Sequence, residues 1–405
     1  MQICSRCLYP STHPFGIIFD DKGVCSGCRI HEEKDSLPWD QREDKLSKIL
    51  DNYRNSSKVN YDCIIPVSGG KDSYFIVDIV KNKFKMNPLL VSYNTHFNTL
   101  TGIRNLQNLK TRFGCDLIQL NLNPKETRDI AKFTFEKIAS IYWHNHAGNT
   151  VFPVQMAVKL KIPLIIWGLH QGVDQVGMFS HTDEVEMTRK YRKEHDLMGL
   201  EPEDLHNDLE CPKNIKNTLK KLFYPSNEEI RNIQVRGIYL SNYIRWDSKS
   251  QHESMIDKYG YRTVKQNRTF NPYEDTHSVF YNDVHDYIKY MKLGYSKVLD
   301  HAVQEIRLKR MSRGKGVQSL REYKNVDISS LGLLLDYLSI TEDEFYLTLD
   351  KFKYNPTEMV SNRISENLLK EVALEFNKSA NCNFIVNEVA KDSEGMHSFY
   401  KGIYL

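Results

Sequence analysis

The sequence lacks any apolar run that approaches the length of a membrane span, and its N-terminus lacks a basic segment followed by a long apolar stretch. We therefore expect a cytoplasmic protein that does not associate with membranes. An excess of charge is also missing, because 55 basic and 52 acidic residues leave a formal net charge of +3. No overall field favours nucleic acid or an anionic surface, so any bound anion must be held locally.

Internal repeats and low-complexity segments are absent as well, and 405 residues with 40% hydrophobic content suffice for more than one globular domain. Residues 1–40 hold too little apolar material for a core of their own and need a metal for stability. Residues 41–60 are interpreted as a connecting helix and a polar linker, and residues 262–405 as a mostly helical region for the acceptor or a partner. Within that region, residues 283–313 are predicted to form a long, mostly polar helical stretch.

Residues 61–261 carry short apolar runs that alternate with amphipathic stretches, a pattern typical of parallel strands joined by crossover helices. The pattern predicts a doubly wound, Rossmann-like α/β domain with strands near Cys63–Val67, Leu89–Tyr93, Leu117–Leu120, Leu164–Trp167 and Gly237–Tyr243. A helix is expected over residues 246–259, after the last of these strands.

A glycine loop follows the first predicted strand, in the run Ser68, Gly69, Gly70, Lys71, Asp72 and Ser73. Glycines let consecutive backbone N–H groups converge on phosphate oxygens, and the start of the following helix adds partial positive charge. Lys71 is predicted to neutralise a phosphate during catalysis, and Asp72 to act with it and hold Mg²⁺. The Walker A spacing is absent, and the run instead resembles the pyrophosphatase (PP) loop S-G-G-x-D-S of enzymes that split ATP between its α and β phosphates. The whole run is therefore predicted to bind ATP.

Two further segments are expected at the carboxyl ends of strands, where open α/β sheets bind their ligands. After the fourth strand, Gly168 is a candidate nucleotide contact, His170 a candidate catalytic contact, and Asp174 a candidate catalytic carboxylate and second Mg²⁺ ligand. A surface or capping role suits His170 and Asp174 equally well. After the second strand, Tyr93 and Asn94 occupy the place where such folds hold adenosine, although Asn94 also suits a simple turn.

Cysteine pairs near the start of the chain indicate a metal site, because Cys4 with Cys7 and Cys25 with Cys28 form two C-x₂-C pairs. Each pair can chelate through a tight turn, and the seventeen residues between the pairs allow them to meet around one Zn²⁺. Four thiolates close the coordination shell, so the predicted zinc is structural. Disulfides or idle thiols are the rival interpretation, which a reducing compartment disfavours.

With these motifs placed, the sequence resembles the N-acetyl sugar amidotransferase family, which makes acetamidino sugars for lipopolysaccharide O-antigens or for pseudaminic and legionaminic acid glycans. The resemblance covers most of the chain. It rests on the cysteine pairs, the glycine loop and later segments at residues 177–180, 185–188, 192–196, 239–247, 265–271 and 284–287. One departure is Leu169, which stands where an acidic residue is expected.

The resemblance implies that ATP adenylates the acetamido oxygen of an N-acetyl sugar and that ammonia then displaces AMP. Glu194 and His195, in a charged cluster with Arg192, are candidate catalytic residues for proton transfer, although a solvated helix face explains them equally well. A later basic stretch can hold a carboxylate or phosphate of the acceptor, or be an exposed helix; its members are His301, Arg307, Arg310, Arg313 and Lys315.

Two other functions compete with this one. A tRNA thiolation enzyme can carry the same glycine loop and a zinc knuckle, but it commonly needs a pair or trio of cysteines at its site, and outside the knuckles no two cysteines are close in sequence. A non-catalytic, zinc-dependent module that only holds nucleotide is the third possibility. Pyrophosphate release, measured with and without acceptor, separates that module from both enzymes.

A glutaminase nucleophile is missing too. The flanks of a nucleophile elbow are missing around Cys63, Cys115, Cys211 and Cys382. The other glutaminase type needs an N-terminal cysteine, but the residue directly after Met1 is Gln2. Free ammonia is mostly protonated at neutral pH, which favours its delivery through a water-poor route. We therefore expect a separate glutaminase subunit, resembling the one of the histidine pathway, as a partner alongside the N-acetyl sugar. Nucleic acid is not expected, and an oligomer is compatible with the sequence.

Overall fold

A computed structural model of the chain describes residues 2–11, 13–55, 57, 59–324 and 326–353, together with two short strands at Asn387–Lys391 and His397–Tyr400. Cys382 and much of the predicted C-terminal region lie outside the described residues. Among the described residues, no helix combines the length and the apolar character that crossing a bilayer requires.

The centre of the fold is a five-stranded parallel sheet with the strand order β3-β2-β1-β4-β5. Its strands are β1 (Cys63–Pro66), β2 (Pro88–Tyr93), β3 (Leu117–Leu120), β4 (Leu164–Trp167) and β5 (Arg236–Tyr239). The order reverses between β1 and β4, which is the point where such sheets open a crevice for ligands. The predicted doubly wound α/β fold is therefore confirmed, and the predicted strands overlap all five of the observed ones.

Helices surround the sheet and fill the regions before and after it. In the first half they are α1 (Ser26–Glu33), α2 (Trp39–Asp51), α3 (Lys71–Val77) with a π-helical continuation (Asp78–Lys83), α4 (Leu100–Phe113), α5 (Pro124–Ile138) and α6 (Trp143–Leu160). After β4 come α7 (Gln171–Asp174), a 3₁₀ turn (His181–Asp183), α8 (Arg189–Tyr191), a π-helical turn (Arg192–Asp196), α9 (Pro202–Asn207), α10 (Lys213–Lys220) and α11 (Asn227–Ile233). A 3₁₀ turn (Leu240–Asn242) follows β5, and then come α12 (Ser248–Tyr259), α13 (Val279–Asn282), α14 (Val284–Leu293), α15 (Lys297–Arg307), α16 (Arg313–Glu322), α17 (Leu331–Leu338) and α18 (Glu342–Asp350).

Both faces of the sheet are buried at β1, β2 and β4, which explains why these strands read as largely apolar runs, whereas the edge strand β3 is more exposed. Successive side chains of a strand point to opposite faces, so Ile64 joins one hydrophobic core and Ile65 the other. The core on the Ile65 side is closed by side chains of α3, α4 and α12, and the opposite core by side chains of α6 and α10. The sheet is thus held rigidly, and the loops at the carboxyl ends of its strands are free to carry function.

The predicted helical stretch over residues 283–313 is mostly helical, but it is divided into the separate helices α14 and α15, and α16 begins at its end. Gly294 ends α14 with φ of +77°, a left-handed conformation that favours glycine and reverses the chain. A second break follows α15, where Lys309 has φ of +60°, and Ser312 then caps the start of α16 by accepting a hydrogen bond from the backbone N–H of Lys315. The turn and capping residues therefore determine where the helices end and begin, even though the whole stretch has a helical sequence pattern.

The cysteine segment packs on the C-terminal helices. Side chains of this segment, including Leu8 and Tyr9, share a hydrophobic cluster with Leu299, Ala302 and other residues of α15. Arg313 adds hydrogen bonds from its guanidinium to the carbonyl oxygens of Cys7, at 3.1 Å, and Cys4, at 3.4 Å. The N-terminal segment is thereby held against α15 and the start of α16.

Candidate active site

The glycine loop joins β1 to α3 at the reversal point of the sheet. Gly69 has φ of +77°, and a Cβ there would lie 2.9 Å from the backbone nitrogen of Leu106 in α4, so only glycine fits. Ser68 closes the loop on itself, because its backbone N–H donates to Oγ of Ser73 at 3.2 Å and its own Oγ accepts from the N–H of Gly70 at 3.2 Å. These two hydrogen bonds stabilise the conformation of the loop.

Lys71 lies between two carboxylates at the start of α3. Its Nζ is 2.8 Å and 3.0 Å from the two carboxylate oxygens of Asp72, and 3.5 Å from Oε1 of Glu274. On the other side of Asp72, Nε2 of His252 in α12 lies 3.2 Å from Oδ1. Glu274 is also 3.4 Å from Nε2 of His301 in α15. Helices from the C-terminal region therefore complete the surroundings of the loop.

The charges of this cluster support one another. Burial alone would lower the pKa of Lys71, but the carboxylates of Asp72 and Glu274 raise it above its ordinary value. Burial works to raise the pKa of Asp72, and the charge of Lys71 outweighs it and lowers that pKa. The pKa of His252 falls to about 4, because the ring is buried and Lys71 repels its charged form. At neutral pH the cluster holds an ammonium, two carboxylates and a neutral imidazole.

A cavity of about 230 Å³ opens beside the loop at the ends of β2 and β3, and we call it the β2 cavity. Of the residues predicted to bind nucleotide, Ser68, Tyr93 and Asn94 line it, while His277, which the sequence did not single out, forms another part of its wall. Nδ1 of His277 is buried without a hydrogen-bond partner. A buried polar atom without a partner is costly, which suits a site that a polar ligand completes.

A second cavity, of about 370 Å³, lies on the other side of the sheet's reversal point, and we call it the β4–β5 cavity. The loops after β4 and β5 contribute Asp174 and Trp246, α12 contributes His252, and α1 and α15 supply further walls. His252 thus lines this cavity while contacting Asp72 of the glycine loop. The two cavities lie on opposite sides of the loop along the sheet.

Asp174, the candidate second Mg²⁺ ligand, is engaged in an ion pair in this structure. Its carboxylate forms a salt bridge with Lys34 of α1, whose side chain is only 3% exposed. Burial would raise the pKa of Asp174, but the charge of Lys34 outweighs it and the pKa falls to about 2. The second carboxylate near Lys71 is Glu274, and Leu169, where an acidic residue was expected, packs against the hydrophobic core.

The candidate catalytic histidines after β4 lie in an aromatic cluster. His170 is 1% exposed, and its ring centre is 4.3 Å from that of Tyr191 and 4.6 Å from that of Tyr239. His195 lies 4.4 Å from Tyr191. Burial lowers the pKa of His170 to about 3 and that of His195 to about 4. Neither histidine lines the β2 cavity or the β4–β5 cavity.

The other candidate residues after β4 are Gly168, Arg192 and Glu194, and they also line neither cavity. Arg192 donates to the carboxylate of Glu201 at 3.0 Å, and Glu194 is half-buried on the same π-helical turn. A Cβ at Gly168 would lie 2.9 Å from Ile76 of α3, so this glycine allows the loop after β4 to approach α3 closely. Arg192 and Gly168 therefore contribute to the packing around the loop after β4.

The four N-terminal cysteines form a buried cluster in which all sulfur atoms lie within 4.8 Å of one another. Sγ of Cys4 is 4.0 Å from that of Cys28, and Sγ of Cys7 is 3.6 Å from that of Cys25. Tetrahedral zinc with Zn–S bonds near 2.3 Å places its sulfur ligands about 3.8 Å apart, so the cluster fits one Zn²⁺. Backbone N–H groups of Cys7 and Cys25 point at Sγ of Cys4, at 3.4 Å and 3.3 Å, which suits a thiolate.

Three residues of the Lys71 cluster were missed by sequence reasoning in these roles. Glu274 and His252 stood in segments with no motif of their own, and His301 was considered only as a member of a basic stretch. The available signal was the segment at residues 265–271, which carried the family resemblance and precedes Glu274 in the same loop. Their distance from the glycine loop in sequence hid the contact.

Comparison with known proteins shows similarity to one curated protein and to solved structures of two synthetases. The chain is 30% identical over 118 residues to the uncharacterized protein MJ1599 of Methanocaldococcus jannaschii, a match that covers 29% of this chain and 42% of that protein. An NH3-dependent NAD synthetase of Campylobacter jejuni matches 49% of this chain and 93% of its own at 12% identity, with a TM-score of 0.28. An NMN synthetase of Francisella tularensis matches 57% of this chain and 99% of its own at 14% identity, also with a TM-score of 0.28.

TM-scores of 0.28 are too low to support an argument, so the fold is assigned from the strand order of this chain. The family described as "LPS biosynthesis protein WbpG-like, C-terminal domain" matches residues 253–367, which include Glu274 and His301. Residues 253–367 are therefore similar to the C-terminal domain of WbpG-like LPS biosynthesis proteins, and this match supports the predicted resemblance to a family of lipopolysaccharide biosynthesis.

Proposed function

We propose that this protein is an ATP-dependent amidotransferase that converts the acetamido group of an N-acetyl sugar into an acetamidino group for a bacterial surface glycan. The observation that carries the proposal is the glycine loop at the reversal point of the sheet, with Lys71 held between Asp72 and Glu274. The match to a WbpG-like domain supports the glycan assignment.

We assign ATP to the glycine loop and the β2 cavity beside it. Ser68 and Lys71 belong to the loop that would receive the phosphates, while Tyr93 and Asn94 at the end of β2 would face the nucleoside. The partnerless Nδ1 of His277 offers a polar contact in the same cavity. Asp72, whose side chain is 39% exposed, has the carboxylate oxygens that Mg²⁺ prefers, and the ion when bound would neutralise phosphate charge.

The chemistry follows from the poor reactivity of an amide. The acetamido oxygen attacks the α-phosphorus, the bond to the β-phosphate breaks, and pyrophosphate leaves with its negative charge near Lys71. Ammonia then attacks the activated carbon, one of its protons is removed, and AMP departs to leave an amidinium group. A fixed ammonium beside the departing pyrophosphate stabilises charge that develops in the transition state, which is a major source of catalysis.

The nitrogen would come from a separate glutaminase. Cys63 is fully buried at the amino end of β1, on the opposite edge of the sheet from the glycine loop, so it is badly placed to act as a nucleophile for glutamine. Cys115 precedes β3 and lies on the same amino-terminal side. The same placement gives no support to sulfur transfer at the loop. We therefore propose that a docked partner releases the ammonia.

An isotope experiment tests the reaction directly. An N-acetyl sugar whose acetamido oxygen carries a heavy isotope is incubated with ATP, Mg²⁺ and ammonium, and products are identified by mass spectrometry. We expect pyrophosphate, an acetamidino sugar, and AMP that carries the heavy oxygen. Formation of ADP and phosphate, or AMP without the label, would contradict activation of the acetamido oxygen. Activity with sulfide but not ammonium would favour a thiolation enzyme.

A further inference from the structure

The segment between α12 and α13 carries Glu274 to the glycine loop, and its own hydrogen bonds hold it in place. The side chain of Asn271 accepts from the backbone N–H groups of Tyr273, at 2.8 Å, and Glu274, at 3.3 Å. The side-chain amide of Gln266 donates to the carbonyl oxygen of Glu274, and the hydroxyl of Tyr261 donates to the carbonyl oxygen of Tyr273 at 2.8 Å. The backbone at Glu274 is therefore held by several hydrogen bonds.

The carboxylate of Glu274 is contacted by a pair of buried residues, His301 of α15 and Thr269. His301 is 3% exposed, and Thr269 is 2% exposed. Nδ1 of His301 lies 2.6 Å from Oγ1 of Thr269, and Nε2 lies 3.4 Å from Oε2 of Glu274. Oγ1 of Thr269 accepts from the N–H of Asn271 at 3.3 Å, so its own hydrogen is available to Nδ1. The ring then presents Nε2–H to Glu274.

Lys71 lies at the end of this series of contacts. Its ammonium is carried on a long, flexible stem, so it occupies one position only when neighbouring groups hold it. Asp72 is its neighbour on α3, and Glu274, whose Oε1 lies 3.5 Å from Nζ, comes from a distant part of the sequence. An ammonium that pairs with two carboxylates keeps a further N–H donor for a phosphate oxygen.

We propose that Thr269 and His301 are positioning residues for the cleavage of ATP. They orient Glu274, and Glu274 holds the ammonium of Lys71 where pyrophosphate leaves. This inference rests on the proposed function. Because Thr269, Glu274 and His301 all belong to the region that matches the WbpG-like domain, that region sets the position of the cation on the glycine loop.

Binding of pyrophosphate tests the proposal without turnover, so that the positioning and the reaction can fail separately. Wild-type protein and variants are titrated calorimetrically with magnesium pyrophosphate and with AMP. His301→Leu removes the N–H that faces Glu274 and should weaken magnesium pyrophosphate about fivefold, as for one ordinary hydrogen bond, while the affinity for AMP is unchanged. His301→Gln keeps an N–H donor near the position of Nε2 and should recover most of that loss.

A double-mutant cycle shows whether the effect passes through Lys71. In the Lys71→Ala background, His301→Leu should not weaken magnesium pyrophosphate further, because the group that it positions is gone. A residue that only supports the fold would weaken binding equally in both backgrounds. Equal weakening in the two backgrounds, a glutamine variant as weak as the leucine variant, or no binding of magnesium pyrophosphate to wild type would overturn the proposal.

Thr269→Val is a second variant, which leaves His301 in place and changes no charge. It removes the hydroxyl that faces Nδ1 and should also weaken magnesium pyrophosphate, whereas Thr269→Ser keeps the hydroxyl and should bind it as wild type does. Thr134→Val is the matched control, because Thr134 of α5 is also a buried threonine, but its hydroxyl donates to the carbonyl oxygen of Ser140 at 2.7 Å. The same loss of affinity in Thr134→Val and Thr269→Val would contradict a positioning role.

Turnover gives a further readout. In His301→Leu and Thr269→Val, kcat for the release of pyrophosphate should fall on the order of tenfold, while KM for ATP stays within about twofold, because the lost interaction acts on the leaving group. An unchanged kcat in both variants would overturn the proposal. The isotope experiment on wild type reports on the proposed reaction independently of these outcomes.

Discussion

The guanidinium of Arg307 in α15 lies 3.6 Å from Sγ of Cys25 in the cysteine cluster. Its Nη1 also donates hydrogen bonds of 2.8 Å to the carbonyl oxygens of Asp174 and Gln175 in the loop after β4. A Cβ on Gly27 would collide with this guanidinium, so α1 can approach it only because glycine stands there. The cysteine cluster, the loop after β4 and α15 are thereby joined through one side chain. A metal held by the cysteine cluster would therefore stabilise a wall of the β4–β5 cavity as well as the N-terminal segment.

Zinc content and stability should follow the cysteine cluster. We expect one zinc per chain by elemental analysis. Cys25→Ser should lose that metal and melt at a clearly lower temperature, because structural zinc in small domains contributes on the order of 10 kcal/mol of binding free energy. Cys115→Ser, which removes a half-buried thiol outside the cluster, is the control and should keep the metal. Wild-type protein free of zinc would contradict the assignment.

Lys71→Ala should reduce the release of pyrophosphate from ATP on the order of a hundredfold or more, because a fixed cation next to the leaving group is lost. A melting curve close to that of wild type would show that the fold persists. Lys83→Ala removes another lysine from the same helical segment, one whose salt bridge with Glu43 is exposed, and it should leave the rate unchanged. Equal rates in the two variants would mean that the loop does not act on phosphate.

Local patterns in the sequence were enough to predict the strands of the sheet and the glycine loop. The runs of β1 and β4 are buried on both faces, so their apolar character is continuous, and the glycine loop must follow β1 directly to reach the crevice. The pairing of Lys71 with Glu274 could not be predicted in the same way. It depends on how the loop between α12 and α13, which carries Glu274, folds against the glycine loop, and no local periodicity records that contact.

The same limit explains the loop after β4. A histidine and an aspartate on a loop at the end of a strand suit catalysis by composition, and the sequence placed His170 and Asp174 there. In the structure, however, aromatic rings enclose His170, and Lys34 of α1 forms a salt bridge with Asp174. Two predictions test what these residues contribute.

His170→Phe should retain turnover within a few-fold and should alter the response of stability to acid. The pKa of His170 is about 3 in the folded protein, below its ordinary value near 6.5, so the unfolded chain binds the proton first. Wild-type stability therefore falls as pH drops below 6.5, by about 2 kcal/mol at pH 5 from this residue. The phenylalanine variant should lack that part of the loss in urea unfolding at pH 7 and pH 5. A large loss of turnover with an intact fold would instead support a catalytic contact.

The salt bridge between Lys34 and Asp174 should stabilise the fold most at neutral pH. The pKa of Asp174 is about 2 in the folded protein, below its ordinary value near 3.9, so its contribution is present above pH 4 and is lost as pH falls toward 2. The contribution amounts to about 2 to 3 kcal/mol. Urea unfolding between pH 6 and pH 3 should show a steeper loss in wild type than in Asp174→Asn.

At neutral pH, Asp174→Asn should itself cost about 3 kcal/mol, because it leaves Lys34 charged and buried without a partner. The double variant Lys34→Met, Asp174→Asn removes both charges and should recover much of that loss, which a double-mutant cycle would measure. The alternative from the sequence is that Asp174 binds Mg²⁺. In that case Asp174→Asn would raise the Mg²⁺ concentration needed for pyrophosphate release while leaving the free energy of unfolding nearly unchanged. Because the two roles predict opposite results in these two measurements, the single variant decides between a structural ion pair and a metal ligand.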